Sequence, residues 1–163
     1  MTLSFFYPAT LLPHKNHHIF LDRSISSFCE RNHISIFFTI DSDNPLSSFS
    51  SSYHCLGRLT HTQCLSHLSQ SSALLFVSSF ESLGLPIIEA SHFGIPTIAP
   101  DLPYVKELIG HHYYSFSLDC VFSLVSAFNT FLLDYDQLRV PILQKSLISS
   151  ERALWSFYNY FDS

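Results

Sequence analysis

The chain has 163 residues, of which 47% are hydrophobic and 13% are charged, and its net charge is −5 at pH 7 with neutral histidines. Eight Lys and Arg residues against 13 Asp and Glu exclude nucleic acid as the main partner, because phosphate backbones are bound through clustered basic side chains. The apolar content excludes a disordered chain and supports one packed domain over residues 1–163.

Short apolar runs alternate along the chain with stretches of helical spacing. The predicted strands are 3–7, 34–40, 53–56, 73–77, 96–99 and 113–116. The predicted helices are 16–31, 60–71, 85–93, 102–109, 119–134 and 136–160, with a loop or stunted helix at 41–52. Several strands are apolar on successive residues, which is typical of strands covered on both faces. The pattern predicts an α/β fold with a doubly wound, Rossmann-like parallel sheet of about six strands.

Two helix starts carry recognisable caps. Thr60 and Gln63 fit a capping box, in which the hydroxyl accepts a backbone N–H and the glutamine reaches back. Asp119 is placed to cap the helix predicted at 119–134.

The segment SSFESLGLPIIEA, residues 78–90, follows a buried strand and opens a helix. Open α/β sheets bind ligands at such places. Pro86 suits a first helical turn, and Gly84 lets the backbone bend and approach a ligand. We expect the N–H groups around Gly84, Leu85 and Ile87 to point out of the helix and form a phosphate site.

Two glutamates of this segment, Glu81 and Glu89, are candidates for binding a sugar or a ribose. Helical side chains lean toward the N-terminus, so both carboxylates could border one pocket. Carboxylates accept hydrogen bonds readily from vicinal hydroxyls. The alternative is that Glu89 only complements the helix dipole and Glu81 is a solvated loop charge.

The motif Glu81-x7-Glu89 resembles the signature of retaining GT-B glycosyltransferases of the group 1, or family 4, type. The flanking segments 56–60, 69–82 and 91–110 are similar to the segments around that motif, and FYPATLLPHKNH (6–17) resembles the first strand and loop of the family's nucleotide-binding half. The resemblance covers about residues 3–116. It implies the C-terminal half of a GT-B fold, a UDP- or GDP-sugar donor and transfer with retention, in cell-surface polysaccharide synthesis.

The resemblance also implies roles for individual residues. Lys15 matches the lysine that meets the donor diphosphate, and Glu81 matches the glutamate near the donor sugar. These two are the expected catalytic residues. Glu89 matches the glutamate that takes the ribose hydroxyls. The loop whose amides hold phosphate and sugar matches Ser82, Leu83, Gly84 and Leu85. No metal or other cofactor is required if the lysine and the helix N-terminus neutralise the phosphates.

The chain departs from the family pattern in two ways. Ala9 stands at about the position where many members carry an arginine, so one point charge replaces a charge plus a bidentate fork. The resemblance implies that an N-terminal half binds the acceptor, and we expect no such half within residues 1–163. We therefore expect a hexosyl-type transferase that is inactive without an N-terminal half. The alternative is a non-catalytic nucleotide-sugar-binding or partner subunit, or a truncated remnant.

Partners and location follow from composition. The low charge fraction and the aromatic run 153–161 favour self-association or docking on a separate N-terminal half, although that run could instead pack on its own domain. No apolar run approaches the ~18 residues of a membrane span, and the start of the chain lacks a secretory signal. We expect a cytoplasmic protein, or one peripheral at the inner membrane through a partner.

Two further clusters could bind metal. His14 and His18 have the i, i+4 spacing of metal ligands, with His17 between them, but no carboxylate or cysteine lies at matching spacing, so we expect no metal site. The four cysteines, at positions 29, 55, 64 and 120, form no C-x-x-C pair, which favours free buried thiols over disulfides or zinc.

Overall fold

A computed structural model describes residues 2–135 and confirms the predicted α/β architecture. The strands are β1 (Leu3–Tyr7), β2 (Ile34–Phe38), β3 (Tyr53–Cys55), β4 (Ala73–Leu75), β5 (Thr97–Pro100) and β6 (Tyr114–Phe116). The helices are α1 (Arg23–Arg31), α2 (Leu46–Phe49), α3 (His61–Ser69), α4 (Leu85–Phe93), α5 (Pro103–Ile109) and α6 (Val121–Leu133). The helix predicted at 136–160 and the aromatic run 153–161 lie outside the described residues.

All six strands are parallel and pair in the order β3-β2-β1-β4-β5-β6. Successive residues of β1 supply both faces of the sheet. Phe5 and Tyr7 belong to the core under α1 and α6, whereas Phe6 belongs to the core under α3, α4 and α5. Because both faces are covered, the strands carry no solvent-facing polar row, which explains their unbroken apolar runs.

Several predicted boundaries shift by a few residues. The helix predicted over 16–31 is two pieces: a 3-10 helix at His17–Leu21, and then α1. The break comes at Asp22, whose carboxylate accepts the Ser24 N–H at 2.8 Å and caps α1. The segment 41–52 contains the short helix α2, in line with the expectation of a stunted helix.

The two predicted caps have different outcomes. The Thr60 capping box is confirmed, because Gln63 N–H donates to the Thr60 hydroxyl at 3.3 Å and Thr60 N–H donates to the Gln63 side chain at 2.9 Å. The prediction for Asp119 is wrong. Residue 120 occupies the N-cap of α6 without a side-chain cap, and the Asp119 N–H instead donates to the Ser117 hydroxyl at 3.3 Å.

The four cysteines lie within the described residues and are all free thiols. Cys29 is buried, Cys55 and Cys64 are half-buried, and Cys120 is exposed, so the expectation of burial holds fully only for Cys29. None of the helices within residues 2–135 has the length and apolarity to cross a membrane.

Candidate functional site

The order of the sheet reverses between β1 and β4. The chain leaves these adjacent strands toward opposite sides, which opens a crevice at their carboxyl ends where α/β sheets bind ligands. The loop after β1 carries Lys15 and the loop after β4 carries Glu81. Two residues 66 positions apart in the sequence therefore meet at one edge of the sheet.

Hydrogen bonds join these two loops directly. The Ser79 N–H donates to the carbonyl of His14 at 2.8 Å. The side-chain amide of Asn16 donates to the carbonyl of Val77 at 2.8 Å. The Asn16 backbone has a left-handed conformation, with φ of 52°. Asparagine tolerates this conformation better than most residues. The Val77 carbonyl is thus taken by a loop side chain, and β4 ends at Leu75 rather than at Val77 as predicted.

Lys15 and Glu81 form an ion pair. Their side chains are only 14% and 16% exposed, so the pair lies largely out of water. The attraction within such a partly buried pair is screened less by salt and solvent than that of a surface pair. The alternative interpretation of Glu81 as a solvated loop charge is therefore wrong.

Two tyrosines support the backbone beneath this ion pair. The Tyr7 hydroxyl donates to the Lys15 carbonyl at 2.5 Å, and the Tyr104 hydroxyl donates to the Ser78 carbonyl at 2.7 Å. Burial raises the pKa of both phenols well above the usual range, and the nearby negative charge of Glu81 adds to the effect. Both hydroxyls therefore stay protonated and act as donors at any physiological pH.

Helix α4 begins at the same edge of the sheet. Its N-cap, Gly84, is buried and left-handed, with φ of 59°, a conformation that glycine adopts without cost. The Ile87 N–H donates to the Gly84 carbonyl at 2.9 Å, so the expectation that it is free for a phosphate is wrong. Within residues 2–135, the amides of Ser82 to Leu85 donate to no protein acceptor, which leaves them available to an anion.

Glu89 lies in the second turn of α4 and is only 7% exposed. Its Oε1 lies 2.8 Å from Nε2 of His61, the first residue of α3. Burial raises the pKa of the Cys64 thiol, and the charge of Glu89 contributes, which places this thiol near the carboxylate. A buried, partnered carboxylate beyond the first turn does not fit the alternative of a charge that only complements the helix dipole.

Four apolar side chains that lie near Lys15 or Glu81 in the sequence are exposed. Leu11 and Leu12, in the loop after β1, are 60% and 49% exposed. Phe80 and Leu83, in the loop after β4, are 68% and 55% exposed. We call these four residues the apolar rim. Exposed apolar groups in two loops that carry a candidate site are typical of a surface that another group covers.

Ala9 is 6% exposed, and its carbonyl accepts the Thr39 hydroxyl at 3.3 Å. The position is enclosed by the protein, so a long cationic side chain has no room there without repacking. The cationic contribution of the β1 loop to the crevice therefore rests on Lys15.

The three histidines of the β1 loop are separated by their surroundings. His17 is 5% exposed and packs on Tyr7 with ring centroids 4.9 Å apart, whereas His18 is exposed and His14 is half-buried. Neither ring nitrogen of His17 has a partner with hydrogen-bonding geometry. Burial lowers the pKa of His17 to about 4. The nearby Ala9 backbone raises this pKa, but by less than burial lowers it. In the part of the chain that the structure describes, no three His, Cys, Asp or Glu side chains are arranged to hold a metal ion.

Sequence reasoning missed four residues of this site: Tyr7, Asn16, His61 and Tyr104. Tyr7 had a local signal, because a tyrosine that ends a buried strand needs a partner for its hydroxyl. Asn16 had a weaker one, since asparagine is favoured in left-handed turns. His61 and Tyr104 had none, because their partners lie 28 and 26 positions away in the sequence.

Comparison with protein families matches residues 49–144 to the family described as glycosyl transferases group 1. The matched range covers more than half of the 163 residues and includes both Glu81 and Glu89. Over 69 residues, the chain is 36% identical to the serotype-specific mannosyltransferase WbdA of Escherichia coli. That stretch is 42% of this chain but only 8% of WbdA.

Solved structures share the fold at low sequence identity. The Anabaena protein Alr3699/HepE, solved in complex with UDP and glucose, is 14% identical, with a TM-score of 0.67 over 85% of this chain and 41% of that protein. The catalytic domain of starch synthase IV from Arabidopsis thaliana, bound to ADP and acarbose, is 15% identical, with a TM-score of 0.66 over 98% of this chain. The chain spans 38% of that domain.

Proposed function

This chain belongs to the group 1 glycosyl transferases, and we propose that residues 1–163 are the domain that binds the nucleotide-diphospho-sugar donor. The observation that carries the proposal is the half-buried Lys15–Glu81 ion pair in the loops after β1 and β4, beside the N-terminus of α4. A cation and a helix N-terminus at one point suit a diphosphate. The carboxylate beside them suits the hydroxyls of a sugar.

Each group has one proposed task. Lys15 has three N–H donors, so it can keep its bond to Glu81 while it contacts a phosphate oxygen. In that arrangement the lysine stands between two anions, and Glu81 is left to orient the donor sugar. The amides of Ser82 to Leu85 bind phosphate and sugar oxygens, and Glu89 accepts the ribose hydroxyls.

The proposed reaction is transfer with retention and uses no protein nucleophile. The bond between the anomeric carbon and the diphosphate breaks, the acceptor oxygen bonds to that carbon on the same face, and the acceptor proton passes to the departing diphosphate. Lys15 and the amides of Ser82 to Leu85 stabilise the negative charge that grows on the leaving group. This is electrostatic preorganisation rather than acid–base catalysis. No metal is needed in this scheme.

The acceptor is proposed to be bound by residues outside this sequence, in a separate N-terminal half or in a second copy of the chain. Two observations support this. The apolar rim, in the two loops that carry Lys15 and Glu81, is exposed, and the chain spans 41% and 38% of the solved proteins that share its fold. The identity to WbdA, a serotype-specific mannosyltransferase, supports a hexose donor and a cell-surface polysaccharide product. A cytoplasmic or membrane-peripheral location follows from that role.

Calorimetry of the full chain with UDP, GDP, ADP and their sugar conjugates tests the proposal. We expect one nucleotide to bind, and Lys15→Met and Glu89→Gln each to weaken it about 10- to 100-fold, the effect of losing a charged hydrogen bond. Lys106→Met is the matched control, because Lys106 is a surface lysine paired with Asp101. Parent-like affinity of both site variants, or no nucleotide bound at all, would contradict the assignment.

The second candidate function is a non-catalytic nucleotide-sugar-binding subunit, favoured by the enclosed alanine at position 9. A transfer assay separates the two candidates. Sugar transfer that requires both this chain, with Lys15 intact, and an N-terminal half supports the enzyme. Transfer that persists with Lys15→Met supports the non-catalytic subunit.

A further inference from the structure

His61 and Glu89 form a contact that the proposed function does not use. Nε2 of His61 lies 2.8 Å from Oε1 of Glu89. The Glu89 side chain is 9% exposed and that of His61 is 33% exposed, so the carboxylate is enclosed while the imidazole reaches the surface. A carboxylate that is ionised can only accept hydrogen bonds, and toward it Nε2 acts as the donor.

The local structure holds His61 in this position. His61 is the first residue of α3, directly after Thr60, which forms the reciprocal capping box with Gln63. The two bonds of this box fix the backbone of the first turn of α3. Glu89 is fixed in the same way by its place in the second turn of α4, whose neighbouring residues Ile88 and Ala90 are buried. The two side chains therefore meet between two ordered helices.

We propose that His61 is a positioning residue that holds the Glu89 carboxylate in the orientation needed to accept both vicinal hydroxyls of the donor ribose, so that the site selects ribonucleotides over 2′-deoxyribonucleotides. The inference rests on the proposed function, in which Glu89 binds the ribose. Each carboxylate oxygen has two lone pairs, so Oε1 can accept from His61 and from a hydroxyl together.

The physical basis is preorganisation. The terminal torsion of a glutamate is broad and has no sharp preferred angle, so each bond that holds the carboxylate before the ribose binds reduces the ordering that binding must supply. Ordering a side chain weakens binding, and a bond that orders it beforehand removes this cost. A deoxyribose offers one hydroxyl fewer and gains less from the fixed orientation, which is why the effect of His61 depends on the sugar.

The experiment measures the affinities of UDP, 2′-deoxy-UDP, GDP and 2′-deoxy-GDP for the full chain by calorimetry. His61→Phe keeps an aromatic ring but removes the donor, and His61→Gln restores a side-chain N–H donor. His67→Phe is the matched control, because His67 is exposed on the same helix and stacks on Phe6 through its ring.

We expect the parent to prefer the ribonucleotide, and His61→Phe to weaken ribonucleotide binding about 5-fold, the effect of one ordinary hydrogen bond. Binding of the deoxynucleotide is expected to change less than about 2-fold, since it draws less on that bond. His61→Gln and His67→Phe should keep the parental preference. In a Glu89→Gln background, His61→Phe should no longer change the ratio of the two affinities.

Two results would overturn the inference. One is that His61→Phe binds ribonucleotides and deoxynucleotides with the parental affinities. The other is an equal loss of affinity for both sugars, which indicates a purely structural role. If Glu89→Gln binds both sugars as the parent does, or the parent binds none of the four nucleotides, then the proposed function itself fails. If His61→Phe does not fold, His61→Gln provides the test. A ratio of ribonucleotide to deoxynucleotide affinity in His61→Gln that differs from the parental ratio overturns the inference.

Discussion

Acid should destabilise this protein through His17. The imidazole is 5% exposed, packs on Tyr7 and has no partner with hydrogen-bonding geometry at either ring nitrogen. Burial lowers its pKa from 6.5 to about 4. Between these two values the unfolded chain binds a proton at residue 17 that the folded chain does not, so stability rises with pH and falls on acidification.

The magnitude follows from the two pKa values. Between pH 7.5 and pH 5.0, proton linkage at His17 removes about 2 kcal/mol from the free energy of unfolding. With an m-value of about 1.5 kcal/mol/M, this loss corresponds to a fall of about 1.3 M in the urea midpoint. Other titrating groups add their own pH dependence, so the contribution of His17 must be read from a variant.

The assay compares urea unfolding at pH 7.5 and 5.0 for the parent, His17→Phe and His18→Phe. Phenylalanine keeps the ring packed on Tyr7 but cannot bind a proton, so His17→Phe should lose about 2 kcal/mol less than the parent on acidification. His18 is exposed, and His18→Phe should follow the parent. Equal pH dependence in all three proteins would refute the reasoning.

Two further predictions concern α3 and α4. Thr60→Ala breaks the capping box and should lower the free energy of unfolding by about 1 kcal/mol in urea titrations. Thr60→Ser keeps the hydroxyl, so an equal loss of stability in that variant would contradict a capping effect. Gly84→Ala forces a left-handed alanine, whose Cβ would lie 2.6 Å from Cδ1 of Leu108, and should cost about 1–2 kcal/mol. Gly94→Ala, at the other end of α4 with φ of 67°, should cost a similar amount. Only the change at Gly84 should weaken binding of the nucleotide that the parent binds, and equal affinities in both variants would contradict a phosphate site there.

Local sequence patterns were enough to predict most of the described elements, their order and the fold class. Apolar runs such as Ile36-Phe37-Phe38 predict covered strands, and the capping box of Thr60 and Gln63 predicts the start of α3. These signals are local, because strand periodicity and helix caps involve residues a few positions apart. The family, too, was predicted from a local motif, Glu81-x7-Glu89, which the match over residues 49–144 includes.

Where local alternatives compete, the sequence was a weaker guide. Asp119 has the right chemistry for an N-cap, yet the Ser117 hydroxyl takes its N–H and α6 begins after residue 120. Ile87 has the right position for a free helical N–H, yet it closes a tight turn onto Gly84. Both errors concern which neighbouring residue begins a helix or closes its first turn, and the chemistry of a single side chain does not decide this.

What each functional side chain faces depends on how distant elements are arranged in three dimensions. Lys15 meets Glu81 from 66 positions away because β1 and β4 are neighbours at the point where the strand order reverses. Glu89 meets His61 because α3 and α4 pack on the same face of the sheet. A pattern along the chain reports the periodicity of one element. Contacts between distant residues depend instead on how the sheet orders elements that are far apart in sequence.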